Sequence, residues 1–322
     1  MQILAYRFSA FGDIAMTVPV IKAFLEQNKE TTLVMVSRKN FADLFEGIER
    51  LTFHGIDIKA YDGFSGLKKL YKELTTTYKI DAVADLHDVI RSKILNYFFK
   101  FKQIPVYKLD KGKEEKKHLT DIWNLQKHQL KYTTERYADV FRSMGLELHL
   151  SHQYPQFEVE KSGIGIAPFA QHEGKMLPLE ASFEVAKALA KTHKIYFFGG
   201  GKREVEILNQ WEAEIPNTES LAGKLSLKEE LERIKHLKVM ISMDSANMHL
   251  ASLVGTRCIS VWGATHPYAG FLGYGQSWED VVQVRDLTCR PCSVFGDKPC
   301  YRGDWACLHE INTHEILQKI MG

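Results

Sequence analysis

The sequence predicts an α/β protein built from two parallel sheets, and three observations carry that expectation. Short apolar runs alternate with helical patterns along the chain, the alternation restarts past Gly163, and polar and glycine residues gather where the apolar runs end. At 322 residues there is enough chain for two domains with separate cores. The expected division is residues 1–158 and 159–322, with the join between Glu158 and Gly163.

In the first half, "QILAYRF" reads as a strand, followed by a helix from Met16 to Gln27, the strand "TTLVMVS" and a helix after Asn40. The strand "DAVADLH" then leads into helical "VIRSKILNYFFKF". In the second half, "GIGIAPF" precedes a helix over residues 179–192, and "KIYFFGG" precedes helical "KREVEILNQWEAE". Helical "SLKEELERIKHL" leads to the strand "KVMISMD", and "RCISVWG" is the last strand. Open parallel sheets bind ligands at the carboxyl ends of their strands. The segments "SAFGD", "DLHDVIR", "APFAQHEGK", "GGGK" and "MDSANMH" all fall at such ends and are expected to converge on one cleft.

Composition bounds the function classes. The chain is 45% hydrophobic and 25% charged with a net charge of +2, which gives no reason to expect nucleic acid. Charge is nevertheless uneven. Between Lys100 and Lys131 nine lysines face four acids, either a solvated surface or a landing site for an acidic acceptor or an anionic membrane face. No run reaches the roughly 18 apolar residues that span a bilayer. The N-terminus lacks the basic start and apolar core of a signal peptide, so a cytoplasmic location is expected.

Several residues are candidates for chemistry. Asp13 follows Gly12 ahead of an apolar helix, which suits a helix N-cap and equally a general base held at a strand end. Lys175 sits between Gly174 and a nearby proline, in a loop able to present a point charge to phosphate. Gly200 and Gly201 allow a ligand close to the backbone, with Glu204 placed to accept from hydroxyls. Asp244, Ser245, Ala246 and Asn247 open a helix whose first N–H groups need a cap or an anion, with His249 one turn further on. Cys289, Cys292, Cys300 and Cys307 have the spacing C-x2-C-x7-C-x6-C, whose first pair has the form of a zinc knuckle. They are candidates for one structural zinc, and equally for plain thiols. Cys258 lies in a strand and is expected only to pack.

These segments resemble glycosyltransferase family 9, the ADP-heptose:lipopolysaccharide heptosyltransferases. The resemblance covers nearly the whole chain and is densest at "FGDIAMTVPVIKA", "FAQHEGKMLP", "LAGKLSL" and "MISMDSANMHLASLVGTRCISVWGATHP". It implies a GT-B fold of two Rossmann-like domains facing a cleft, inversion at the anomeric carbon, and no cofactor or catalytic metal. It implies an ADP-sugar donor, an anionic lipopolysaccharide core acceptor, and peripheral contact with the cytoplasmic face of the inner membrane. By position, Asp13 resembles the catalytic base, Lys175 the basic residue beside the donor phosphates, Glu204 the ribose contact and Leu225 part of the adenine pocket. Asp244, Ser245, Ala246 and His249 resemble the family's diphosphate loop, with Ser-Ala replacing the more usual Thr-Gly. Ala170 and Gln171 replace hydroxyl residues common in heptosyltransferases. His87, Arg91, Lys111, Lys113, Lys116 and Lys117 are the expected acceptor contacts. A sugar-nucleotide epimerase or a non-catalytic nucleotide-sugar sensor would share the architecture.

Overall fold

The chain begins with β1 (Gln2–Tyr6), whose residues Ile3 to Tyr6 are all buried. A strand apolar on both faces needs cover on both sides, and the helices that follow supply it. In order come α1 (Phe11–Ala15), α2 (Thr17–Gln27), β2 (Thr32–Arg38), β3 (Leu51–Ile56), α3 (Gly63–Thr77), β4 (Ala82–Asp85), α4 (Ile90–Phe101) and β5 (Val106–Lys108). All strands are parallel, in the order β3-β2-β1-β4-β5. The computed structural model describes residues 1–321. Among them no helix is long and apolar enough to cross a membrane.

One expectation for this half is corrected, and two elements were not anticipated. The helix after Asn40 is a 3-10 stretch, Lys39–Phe45. It buries Phe41, Leu44 and Phe45, and the chain turns at Gly47, where φ is +73°. Both β3 and α3 escaped the sequence reading. β3 is a half-exposed edge strand with no apolar run to mark it. α3 carries the helical spacing Leu67, Leu70, Leu74 that would have revealed it.

The division of the chain also differs from a single cut at 158. One compact unit comprises Met1–Gly112 and Thr133–Ser151; the other comprises Lys113–Tyr132 and the residues from His152 onward. Thus α5 (Lys113–Leu119) belongs to the second unit and α6 (Thr133–Arg142) to the first. In α6, Phe141 stacks on Phe24 of α2 with ring centroids 4.4 Å apart, which ties that helix to the first unit's sheet.

The second unit continues with β6 (Ile164–Ala167), α7 (Leu179–Ala190), β7 (Ile195–Phe197), α8 (Lys202–Glu214), β8 (Thr218–Ser220), α9 (Leu227–Lys235), β9 (Val239–Met243), α10 (Ala246–Leu253), β10 (Cys258–Trp262), β11 (Val281–Gln283), α11 (Ala306–His309) and α12 (Thr313–Met321). Its parallel sheet has the order β11-β10-β9-β6-β7-β8. The central strands β6, β9 and β10 are buried throughout. In each unit the strand order reverses beside the first strand, which opens a crevice at the carboxyl ends of β1 and β4, and of β6 and β9.

Candidate functional site

In the first unit, β1 and β4 are hydrogen-bonded neighbours, so the segments leaving them meet. Asp13 is not the N-cap of α1. That position is Ala10, and Asp13 stands at N3, its Oδ2 accepting the Ala10 N–H at 3.4 Å. The same oxygen lies 2.8 Å from Nη2 of the buried Arg7. Arg7 also donates to the Leu86 carbonyl and lies 5.4 Å from the ring centroid of Tyr137 in α6. A buried guanidinium requires a nearby negative charge, which Asp13 supplies, so the two side chains hold one another in place. Sequence reading passed over Arg7, although a charged residue closing an apolar strand is itself a signal.

His87, expected to meet an acceptor, is buried just past β4. Its Nδ1 accepts the Phe8 N–H at 3.4 Å, and its Nε2 lies 3.4 Å from Ser9 Oγ. Burial pushes its pKa down to about 3, with Arg7, Lys111 and Arg91 adding to the effect and Asp13 opposing it. It is therefore a neutral imidazole that positions the Ser9 loop and carries no charge for an anion. Arg91 is half exposed and paired with Asp62 at 2.9 Å. The remaining expected acceptor residues divide. Lys111 stays in the first unit, close enough to depress His87, while Lys113, Lys116 and Lys117 fall in the second. Lys116 is engaged there, its Nζ 4.4 Å from the Phe271 ring centroid.

In the second unit, the pairing of β6 with β9 brings the loop after β6 beside the end of β9. Lys175 Nζ meets Asp244 Oδ2 at 2.9 Å, and both side chains are largely buried. The backbone turns into α10 through Ser245, its N-cap. Among the described residues Ser245 makes no side-chain cap to the helix; its Oγ lies 3.1 Å from Ser242 Oγ instead. The first N–H groups of α10 are thus not capped by the Ser245 side chain. Ala246 and Asn247 are half buried at this end, and His249 is buried one turn in.

Glu204 is N3 of α8 and folds back to accept the Gly200 N–H at 2.8 Å and the Gly201 N–H at 3.4 Å. Those two amides serve the carboxylate, so the turn positions Glu204 rather than offering a phosphate cradle. Gly223 donates to the Gly199 carbonyl at 3.1 Å, laying the segment that contains half-buried Leu225 against the same turn. Ala170 packs on the core, and Gln171 is exposed in the Lys175 loop.

The structure gives no support to the zinc alternative for Cys289, Cys292, Cys300 and Cys307. The four line one pocket with Arg290 and Trp305. However, among the described residues no three His, Cys, Asp or Glu side chains are grouped to hold a metal ion. As placed, Cys307 is pushed up to about 12 by burial and Cys292 is raised for the same reason, so both are protonated thiols. Arg290, itself buried in the pocket wall, donates to the carbonyls of Trp262, Gly263, Thr265 and Val284 and clamps the ends of β10 and β11. The cysteine-rich segment also supports the Lys175 loop. Ala264 N–H donates to the Gly174 carbonyl at 2.7 Å, Cys292 N–H to the Ala264 carbonyl at 3.2 Å, and Gly296 lies against the Lys175 side chain.

The family model described as glycosyltransferase family 9 (heptosyltransferase) matches residues 67–298. The chain belongs to glycosyltransferase family 9. This glycosyltransferase is 24% identical over 333 residues to lipooligosaccharide heptosyltransferase 2 of Campylobacter jejuni, covering 99% of this chain and 98% of that one. Among solved structures it resembles a family 9 glycosyl transferase of Veillonella parvula (TM-score 0.74, 16% identity, 99% and 96% of the two chains). It also resembles E. coli heptosyltransferase WaaC with ADP-2-deoxy-2-fluoro heptose (TM-score 0.69, 17% identity, 100% and 99%). The structural likeness gives the fold, GT-B, as expected from the sequence. Membership of a transferase family favours neither the epimerase nor the sensor reading.

Proposed function

We propose that this glycosyltransferase moves a heptose from ADP-heptose to a lipopolysaccharide or lipooligosaccharide core acceptor, with inversion, at the cytoplasmic face of the inner membrane. The observation that carries the reading is the Asp13 carboxylate, fixed by buried Arg7 at the carboxyl end of β1. Asp13 takes the proton of the acceptor hydroxyl as that oxygen attacks the anomeric carbon from the face opposite the diphosphate. The carbon–oxygen bond to the leaving ADP breaks, and negative charge grows on its β-phosphate. Lys175 and the open N–H groups of α10 meet that charge, a preorganised arrangement that strengthens as the charge develops. Asp244 orients Lys175 and accepts from sugar hydroxyls, while Glu204 and the backbone near Leu225 take the ribose and adenine. Arg91 and Lys111 favour an anionic acceptor; an acceptor KM that does not rise with salt would remove charge from that part of the reading. The four cysteines, as placed, enter no step.

Asp13→Asn tests the proposal. With ADP-heptose and a deacylated core acceptor, ADP release should fall by about 10²-fold or more, the scale of lost general-base catalysis. Donor affinity by calorimetry should be unchanged, because the residues assigned to the donor lie in the other unit. A variant that turns over at the parental rate would leave Asp13 as a helix-end residue paired with Arg7 and nothing more.

A further inference from the structure

Helix α4 is apolar on two faces, and only one of them faces the core. Leu95 and Phe99 are buried against the first unit's sheet. On the outer side Ile90, Tyr97 and Phe101 are 80%, 61% and 75% exposed. At 3.6 residues per turn these three fall within roughly 40° of one another, one stripe along the helix. Lys93 and Lys100 are exposed along one edge of the stripe, Lys93 with its Nζ 3.6 Å from Asp88 just ahead of the helix, and α4 itself contains no acidic residue. The neighbouring helix α3 extends the surface. Its Phe64 is exposed and lies 5.1 Å from the Phe98 ring of α4, and its Lys68, Lys69 and Lys72 are also exposed.

The composition decides what fits this face. Lysine is depleted from protein–protein interfaces, and a face on which the lysines of α3 and α4 outnumber the neighbouring acids Asp62 and Asp88 would repel a second copy of itself. Large aliphatic and aromatic side chains edged by lysines are the pattern of a helix lying in a bilayer interface, where the rings sit among headgroups and the ammonium groups meet anionic lipid. We propose that the outer faces of α3 and α4 seat the protein on an anionic lipid bilayer through Ile90, Tyr97, Phe101 and Phe64, with Lys93 and Lys100 at the headgroups. The proposal deepens the reading of a lipid-borne acceptor and rests on it for its purpose. α4 starts three residues past His87, so the seated surface begins at the strand ends that carry Asp13 and His87.

The test uses the full chain and vesicle flotation. The parent should float with phosphatidylglycerol–phosphatidylethanolamine vesicles and remain behind with phosphatidylcholine alone. Ile90→Ser/Tyr97→Ser/Phe101→Ser should abolish flotation while leaving the unfolding temperature and transfer to a deacylated, soluble acceptor unchanged. Lys93→Gln/Lys100→Gln should weaken binding about thirtyfold, equivalent to ~1 kcal/mol for each lysine beside an anionic surface. If no acceptor supports transfer but flotation still follows these residues, the membrane surface stands and the heptosyl reading fails. The proposal is overturned if the parent ignores anionic vesicles or if the triple variant floats like the parent. It is also overturned if the parent is a dimer that the triple variant disperses, since the face then belongs to a second copy.

Discussion

Removing the ammonium from Lys175 tests whether the donor site works by electrostatics. Lys175→Met leaves the buried Asp244 carboxylate without its partner at 2.9 Å. Breaking a buried pair from one side costs about 3–5 kcal/mol. In a unit of this size that corresponds to a fall in Tm on the order of 10 °C. The same change removes one preorganised charge from the leaving diphosphate, worth about 10²–10³ in kcat. A loss of activity alone would therefore not separate chemistry from stability. Asp244→Asn and Lys175→Met/Asp244→Asn make the separation, because neither contains an unpaired buried carboxylate. The double variant should unfold within about 1–2 kcal/mol of the parent, the range for an amide left with one fewer hydrogen bond, whereas Asp244→Asn leaves the largely buried Lys175 ammonium without its counter-charge and should lose more stability. They differ only in the ammonium, and ADP release from the double variant should be slower than from Asp244→Asn by about 10²-fold. Thermal unfolding and single-turnover ADP release measure the two quantities separately. Equal rates in those two variants would refute the argument and leave Lys175 as a structural partner of Asp244.

Two further outcomes follow from the packing. In Gly174→Ala the new Cβ would lie 2.8 Å from the Gly296 carbonyl and 3.1 Å from the Trp305 ring, so the Lys175 loop must shift. An overpacking cost of about 1–3 kcal/mol is expected, with weaker ADP binding by calorimetry; unchanged affinity would show that the cysteine-rich segment does not position Lys175. Stability should also fall on acidification. Burial lowers His87 and His266 to about 3, against roughly 6.5 in the unfolded chain. Unfolding therefore takes up protons below that value. The stabilisation is complete above about pH 6.5 and drains as pH falls toward 3, by up to ~1.4 kcal/mol per pH unit for each histidine. His87→Gln should flatten the Tm profile between neutral and mildly acid pH, and an equally steep profile would contradict a buried neutral imidazole.

The parts of this protein legible in sequence were those that repeat or punctuate. The apolar strands "ILAY", "VMISM" and "CISVW" are buried on both faces, so their runs announce a parallel sheet without any knowledge of partners. The strand-end positions of Asp13, Lys175 and Asp244 were equally legible, because glycine and small residues mark the turns that follow. Partnership was not. That Lys175 meets Asp244 depends on β6 lying beside β9, and that Arg7 holds Asp13 depends on how the chain turns back after β1; neither pairing has a local sequence signature. Glu204 binding its own turn and His87 being held neutral are likewise products of burial and geometry. The same holds for the cysteines. Their spacing suggests a metal, whereas packing alone brings all four to one pocket beside Arg290. Tertiary structure also assigned residues 113–132 to the second unit and turned the outer face of α4 into an exposed apolar stripe. Local pattern determines which residues will form an element and which end of it is polar. Which of those ends come together, and which apolar faces remain uncovered, is set by strand order, and a linear pattern does not encode strand order.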